Sequence, residues 1–180
     1  PELARDLLAQ SAYADASTRP RIVLTVPGTG GSPGLTTEVV ADMWRQNLGI
    51  EIEIQQVEWA TYIQDLHRSR LQAWSGLSWQ ADYPDPQTFI DVLFRSDSAI
   101  NYGGYANPMV DEYVVSAQTE QDATRRVGFY NDAEQIIVSD AAWLPLWWGV
   151  DSKALIKPWV KGYTFSSLTI AKLKDVWIDK

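Results

Sequence analysis

Two carboxylates, Asp82 and Asp85, stand in the stretch Leu77-Ser78-Trp79-Gln80-Ala81-Asp82-Tyr83-Pro84-Asp85-Pro86-Gln87-Thr88-Phe89 among two aromatic rings and two prolines. A carboxylate between Trp79 and Tyr83 suits an ammonium ion. Charge-assisted hydrogen bonds and cation-π contact would offset the desolvation of both ions. A pair of carboxylates could also act as acid and base across a glycosidic bond, although nothing in the sequence fixes their separation. The plainer role is structural, since Asp and Pro are common wherever a strand hands over to a helix. From spacing alone, that plain role is the stronger reading of Asp82.

The elements around this stretch are expected to be a strand before it and a helix after it. Gln72 to Trp79 is apolar and lightly polar without a charge, which predicts a central strand buried on both faces and leaves Asp82 at its carboxyl end. In open α/β sheets that edge is where ligands bind. Asp85-Pro86 predicts a helix start: Asp85 can cap free amides of the first turn, and Pro86 lacks only a hydrogen that has no partner there.

Upstream, Glu2 to Gln10 carries Leu3, Leu7 and Leu8 at helical spacing, and Arg21 to Val26 is a β-branched run ending at Pro27. Gly28 to Gly34 is rich in glycine but has neither the Walker lysine nor a clean Gly-x-Gly-x-x-Gly, so it reads as a loop before a helix. That helix carries Leu35, Val39 and Met43 on one stripe and stops at Gly49. Ile50, Ile52 and Ile54 alternate with polar residues, a half-covered or edge strand. Trp59, Ile63 and Leu66 mark the next amphipathic helix, on which His67 reads as a solvated surface histidine.

Strand-helix-strand-helix-strand order with long connections implies a mostly parallel sheet flanked by helices, an α/β fold. Downstream, helices are expected from Pro86 to about Phe94, from Asn107-Pro108, and from Asp122 to Ser139, the last with Val127, Tyr130, Ala133 and Ile137 on one face. Ala142 to Val150 is a tryptophan-rich apolar run. Lys153 to Lys180 has only short β-prone pieces.

The 180 residues are 46% hydrophobic and 21% charged, enough to bury a core. A net charge of -8 argues against a surface that tracks nucleic-acid phosphates. With no cysteine and one histidine, sulfur and imidazole metal sites and Cys-His or Ser-His-Asp catalysis have no supporting pattern, and no cofactor is expected. Asp82, Asp85, Asp91 and Asp97 match no calcium-loop spacing. Neither a membrane span nor a signal peptide is read in the chain.

Trp79, Ala81, Asp82, Tyr83 and Pro86 resemble the strand-end signature Trp-x-Ala-Asp-Tyr-x-x-Pro of the extracellular solute-binding proteins, family 5, which feed ABC importers with oligopeptides and dipeptides. The resemblance continues through Asn107-Pro108-Met109-Val110-Asp111, the Asp122, Arg126, Tyr130, Ala133-Glu134 spacing, Leu144-Pro145-Leu146 and Val160-Lys161-Gly162. It covers the whole chain, but only the family's C-terminal part. It implies one lobe of a type II periplasmic-binding-protein fold: residues 1–152 as the C-terminal α/β lobe and residues 153–180 as a tail that returns to a missing N-terminal lobe.

The resemblance further implies a binding protein rather than an enzyme, periplasmic or at the cell surface, anchored if at all through the missing N-terminus. Its partners would be a short peptide and the importer's membrane subunits. Asp82 would take the peptide's amino terminus, Ser78, Trp79 and Gln80 would line its backbone, and Tyr83 and Tyr105 would border the cleft. Two alternatives stay open. Trp74, Trp79, Trp147, Trp148, Tyr102 and Tyr105 could stack on an oligosaccharide, as in other members of the family, although most of the tryptophans read as core. A hydrolase using Asp82 and Asp85 is the rival from another class.

Overall fold

The computed structural model describes residues 1–146, 156–164 and 173–179, which fall into two compact units, Pro1–Ser78 and Trp79–Lys180. The first unit is the α/β part. Helix α1 (Glu2–Gln10) and a 3-10 turn at Ala16–Thr18 precede strand β1 (Ile22–Pro27), and then come α2 (Leu35–Leu48), β2 (Ile52–Val57), α3 (Trp59–His67) and β3 (Ala73–Trp74). The sheet order is β2-β1-β3 and both pairings are parallel, with Ile22 opposite Ile52 and Leu24 opposite Ala73. This is the expected crossover topology. Strand β2 sits at an edge with alternating burial, as its isoleucines predict.

Local chemistry explains the boundaries. Gly49 adopts the left-handed conformation (φ 61°) that ends α2. Arg19 donates to the freed carbonyls of Leu48 and Gly49, both at 3.1 Å, and Arg5 to that of Asn47 at 3.0 Å. Two guanidinium groups thus meet the negative end of the helix. Glu58 opens α3 by accepting from the amides of Ala60 and Thr61. The glycine-rich loop is held by Gln56, which accepts from the Gly30 amide at 2.9 Å and donates to the Gly31 carbonyl at 3.3 Å.

One expectation is corrected here. The strand predicted over Gln72–Trp79 is only Ala73–Trp74, and it lies at the edge of the described sheet, with β1 in the centre. Its pairing runs out because its neighbour does. The Ser75 amide still donates to the Thr25 carbonyl at 3.1 Å, but the next donor in this register would be the nitrogen of residue 27, a proline without a hydrogen. The Ser75 carbonyl instead accepts from the Tyr62 hydroxyl at 2.9 Å. Gly76 then turns away at φ 94°, where a side chain would strike the Pro27 ring at 2.7 Å.

The stripe Leu35, Val39 and Met43 forms on α2 as predicted, but it faces outward, and neither α1 nor α2 has a buried residue. The core of this unit is Thr25 and Val26 of β1 with Tyr62 and Leu66 of α3.

The second unit is built on three helices, α4 (Gln87–Phe94), α5 (Pro108–Thr119) and α6 (Ala123–Ser139), followed by a short antiparallel pair, β4 (Val160–Lys161) and β5 (Trp177–Ile178). The predicted helix starts hold: Asn107 accepts from the Met109 amide with Pro108 in the first turn, and Asp122 accepts from the Arg125 amide at 2.9 Å. Ile90, Leu93, Phe94, Val110, Val114, Ala117, Tyr130, Ala133 and Ile137 form one continuous core. Of the four residues expected on one face of α6, Tyr130, Ala133 and Ile137 are buried and Val127 is exposed. Residues 147–155, 165–172 and 180 lie outside the described residues, and with them Trp147, Trp148 and the last four residues of the Ala142–Val150 run.

Candidate functional site

The stretch that carries the chemistry has no regular structure between Ser75 and Pro86. Asp82 therefore does not stand at the end of a central strand. It stands in the coil that opens the second unit and leads into α4. Ser78 is exposed and closes the first unit; Gln80, Asp82 and Tyr83 are exposed, and Trp79 is half-buried.

Trp79 is anchored from below. Its indole N–H donates to the Thr88 carbonyl in the first turn of α4 at 2.7 Å, and its ring packs against the core of the three helices. Tyr83 is fixed at both ends. Its carbonyl accepts from the Asp85 amide at 2.8 Å, and its hydroxyl bonds Oε1 of Gln87. Gln87 passes the connection on by donating at 3.0 Å to Asp91, a buried carboxylate that also accepts from Gln118 at 2.6 Å.

The two candidate carboxylates divide sharply. Asp85 does what its sequence position predicts, since Oδ1 accepts from the Gln87 amide at 2.9 Å and its carbonyl accepts from the Thr88 hydroxyl at 2.9 Å. Its carboxylate is also gripped by both terminal nitrogens of Arg126 on α6. The Arg126 hydrogen bonds hold the Asp85 carboxyl below the usual carboxylate range. An acid/base pair needs one group whose proton is available near neutrality, and Asp85 is held in the opposite direction. Asp82 has no hydrogen bond or ion pair among the described residues, whereas Asp85, Asp91 and Asp97 each have one. It is an open acceptor.

Tyr105 is brought to the same unit but put to other use. It is half-buried, its ring meets Phe94 edge-on at 6.2 Å, and its hydroxyl donates to Asp140 at 2.7 Å. Asp140 also accepts from Asn107 at 2.9 Å, so this pair ties the start of α5 to the end of α6. Burial, with the Asp140 carboxylate beside it, pushes the Tyr105 hydroxyl up to about 12. Its backbone is bracketed by Asn101, which donates to the Tyr105 carbonyl at 2.7 Å.

Sequence reasoning missed Gln87, Asp91, Gln118 and the role of Arg126. The spacing Tyr83, Gln87, Asp91 was a usable signal, because residues four apart from Gln87 onward share a helix face. No local pattern points from Asp85 to Arg126.

Parallel β-α-β crossovers followed by a helical unit define an α/β fold of the type II periplasmic-binding-protein class. The match is carried by solved structures: the Escherichia coli murein tripeptide binding protein MppA covers 99% of this chain with a TM-score of 0.78 at 29% identity. Haemophilus influenzae OppA in complex with RPPGFSPFR covers 99% at a TM-score of 0.76 and 27% identity. Residues 1–101 match the family described as bacterial extracellular solute-binding proteins, family 5 Middle, and the chain belongs to that family. Its members are binding proteins, not enzymes.

Among curated relatives, the periplasmic oligopeptide-binding protein OppA of Salmonella typhimurium is 34% identical over 125 residues, 69% of this chain and 22% of that protein. The chain spans about a fifth of that relative and 34% of each of the two solved chains.

Proposed function

We propose that the chain is the C-terminal part of an extracytoplasmic solute-binding protein that delivers short peptides to the membrane subunits of an ABC importer. Asp82 receives the free amino terminus of the peptide. Ser78, Trp79 and Gln80 run along its backbone, and Tyr83 and the ring of Tyr105 border the bound chain. A missing N-terminal lobe closes over the ligand, and residues 153–180 return to it. Hinge closure then presents the loaded form to the importer.

The single observation that carries this reading is the Asp82 carboxylate, exposed and unpaired among the described residues, in a loop where Trp79, Tyr83 and Asp85 are each held by hydrogen bonds. An ammonium gives such a group a charge-assisted partner, and recognition of the backbone through main-chain groups leaves ligand sequence free. The oligopeptide-binding relatives support the ligand class.

The test is calorimetry on the full-length protein with tri-alanine and its N-acetyl derivative. Asp82→Asn is expected to weaken tri-alanine by at least about 30-fold, the lower end of what truncating one member of a buried charge pair costs. N-acetyl-tri-alanine should bind poorly to both proteins. Equal affinity of the native protein and Asp82→Asn for tri-alanine overturns the assignment.

A further inference from the structure

Among the described residues no hydrogen bond or ion pair is made by Asp82 itself, so whatever fixes its loop acts through its neighbours. We propose that Arg126, on α6, is the positioning residue of the amine-binding loop: by clamping Asp85 it fixes the backbone from which Asp82 and Tyr83 project. The proposal rests on the reading of Asp82 as the partner of the ligand amine.

Asp85 is the hub through which this works, because each of its polar atoms is used. Its amide donates to the Tyr83 carbonyl, closing the turn through Pro84, and its carbonyl takes the amide and hydroxyl of Thr88. Its two carboxylate oxygens meet the Arg126 fork. Remove the fork and, among the described residues, the turn loses its direct tie to α6, keeping its own short-range bonds and the thinner link from the Tyr83 hydroxyl through Gln87 to Asp91 and Gln118. Ordering backbone costs about 1–2 kcal/mol per residue, so a loop ordered before the ligand arrives spares that cost at binding.

Arg126 is itself over-determined. Its Nε donates to the Ala117 carbonyl in α5 at 3.0 Å, its guanidinium lies over the Tyr130 ring at 5.2 Å, and the Tyr130 hydroxyl stands 3.5 Å from Nη2. One side chain therefore joins the entry to α4, the end of α5 and the body of α6. The planar fork is what permits this, and a lysine could not reproduce it.

The clamp has a second consequence. Two carboxylates three residues apart would compete for one ammonium. With Asp85 neutralised by Arg126, Asp82 is left as the single uncompensated charge of the loop, and the amine has one place to go.

The experiment compares Arg126→Lys and Asp85→Asn, each alone and combined with Asp82→Asn, in the full-length protein, using tri-alanine and N-acetyl-tri-alanine as probes. Each single variant should weaken tri-alanine about tenfold and leave the N-acetyl peptide unchanged. Neither should add to the loss once Asp82→Asn is present. A residue that merely supports the fold would weaken both peptides alike, or add fully to Asp82→Asn, and either result overturns the proposal. So does unchanged tri-alanine affinity in either folded variant. Asp85→Asn keeps the shape of the side chain and its acceptor for Gln87, so it decides the matter if Arg126→Lys does not fold. If Asp82→Asn alone costs nothing, the amine assignment is what has failed; if Asp82→Asn costs affinity but the clamp variants do not, it is the positioning role.

Discussion

The two units solve the same problem of stability by different means. Pro1–Ser78 is held by backbone: a parallel ladder of six residue pairs between β1 and β2, helix ends met by Arg5, Arg19 and Glu58, and four buried residues. Trp79–Lys180 is held by side chains, with nine buried residues in one core among the described residues and a polar network of Asp85, Arg126, Gln87, Asp91 and Gln118 along its flank. The contrast teaches where a binding loop has to be rooted. A ladder fixes strands but leaves their ends free, whereas packed helices can hold a coil through side chains that reach across from other elements.

The largest effect should come from the larger core, the one in the second unit. Ile137 is 3% exposed and Met43 is 56% exposed. Ile137→Ala is expected to cost about 2–5 kcal/mol, the range for a large core aliphatic reduced to alanine. Met43→Ala should stay within about 0.5 kcal/mol, as for surface sites. Urea unfolding of both variants checks this, and equal losses would break the comparison between the units.

That pair also marks what the sequence could and could not convey. Leu35, Val39 and Met43 announce a helix, because spacing is a local property. They cannot announce what covers the stripe, because burial depends on the other side. Helix starts were legible for the same local reason: Asp85-Pro86, Asn107-Pro108 and Asp122 each carry the cap next to the amides it serves. Strand β3 was not legible past Trp74, since its end is set by the missing hydrogen of Pro27 and by Tyr62, both distant in sequence. The site was half legible. Asp82 and Asp85 look alike in the sequence, and what separates them is Arg126, 41 residues beyond Asp85. The spacing of Arg126 and Tyr130 was visible as one helix turn, but not the carboxylate that the arginine grips.

The next effect sharpens the side-chain half of the comparison. Asp85→Asn should destabilise the protein by about 1.5–3 kcal/mol at neutral pH, the range for hydrogen bonds to charged groups. The folded-state pKa of Asp85 lies below its ordinary value of 3.8, so its charge contributes stability above that value and loses it as pH falls through the lower folded value. The gap between native protein and variant should therefore be constant above about pH 5 and shrink below pH 4. A gap that keeps its full size at pH 2 would mean that the charge is not what Arg126 holds.

The smallest expected effect tests the backbone half. Tyr62 is fully buried, and its hydroxyl substitutes for the amide that Pro27 cannot offer to Ser75. Tyr62→Phe removes that donor and keeps the ring, so it should cost only about 0.5–1.5 kcal/mol. Burial pushes the Tyr62 hydroxyl from 10.0 up to about 12. With the folded value raised, the protonated hydroxyl contributes stability that is complete below pH 10 and is lost as pH climbs toward 12. The native protein should therefore lose its advantage over Tyr62→Phe across that interval, read as the difference between their urea midpoints. If the substitution costs nothing at neutral pH, the Ser75 carbonyl is satisfied without Tyr62, and β3 ends where it does because of Pro27 and Gly76 alone.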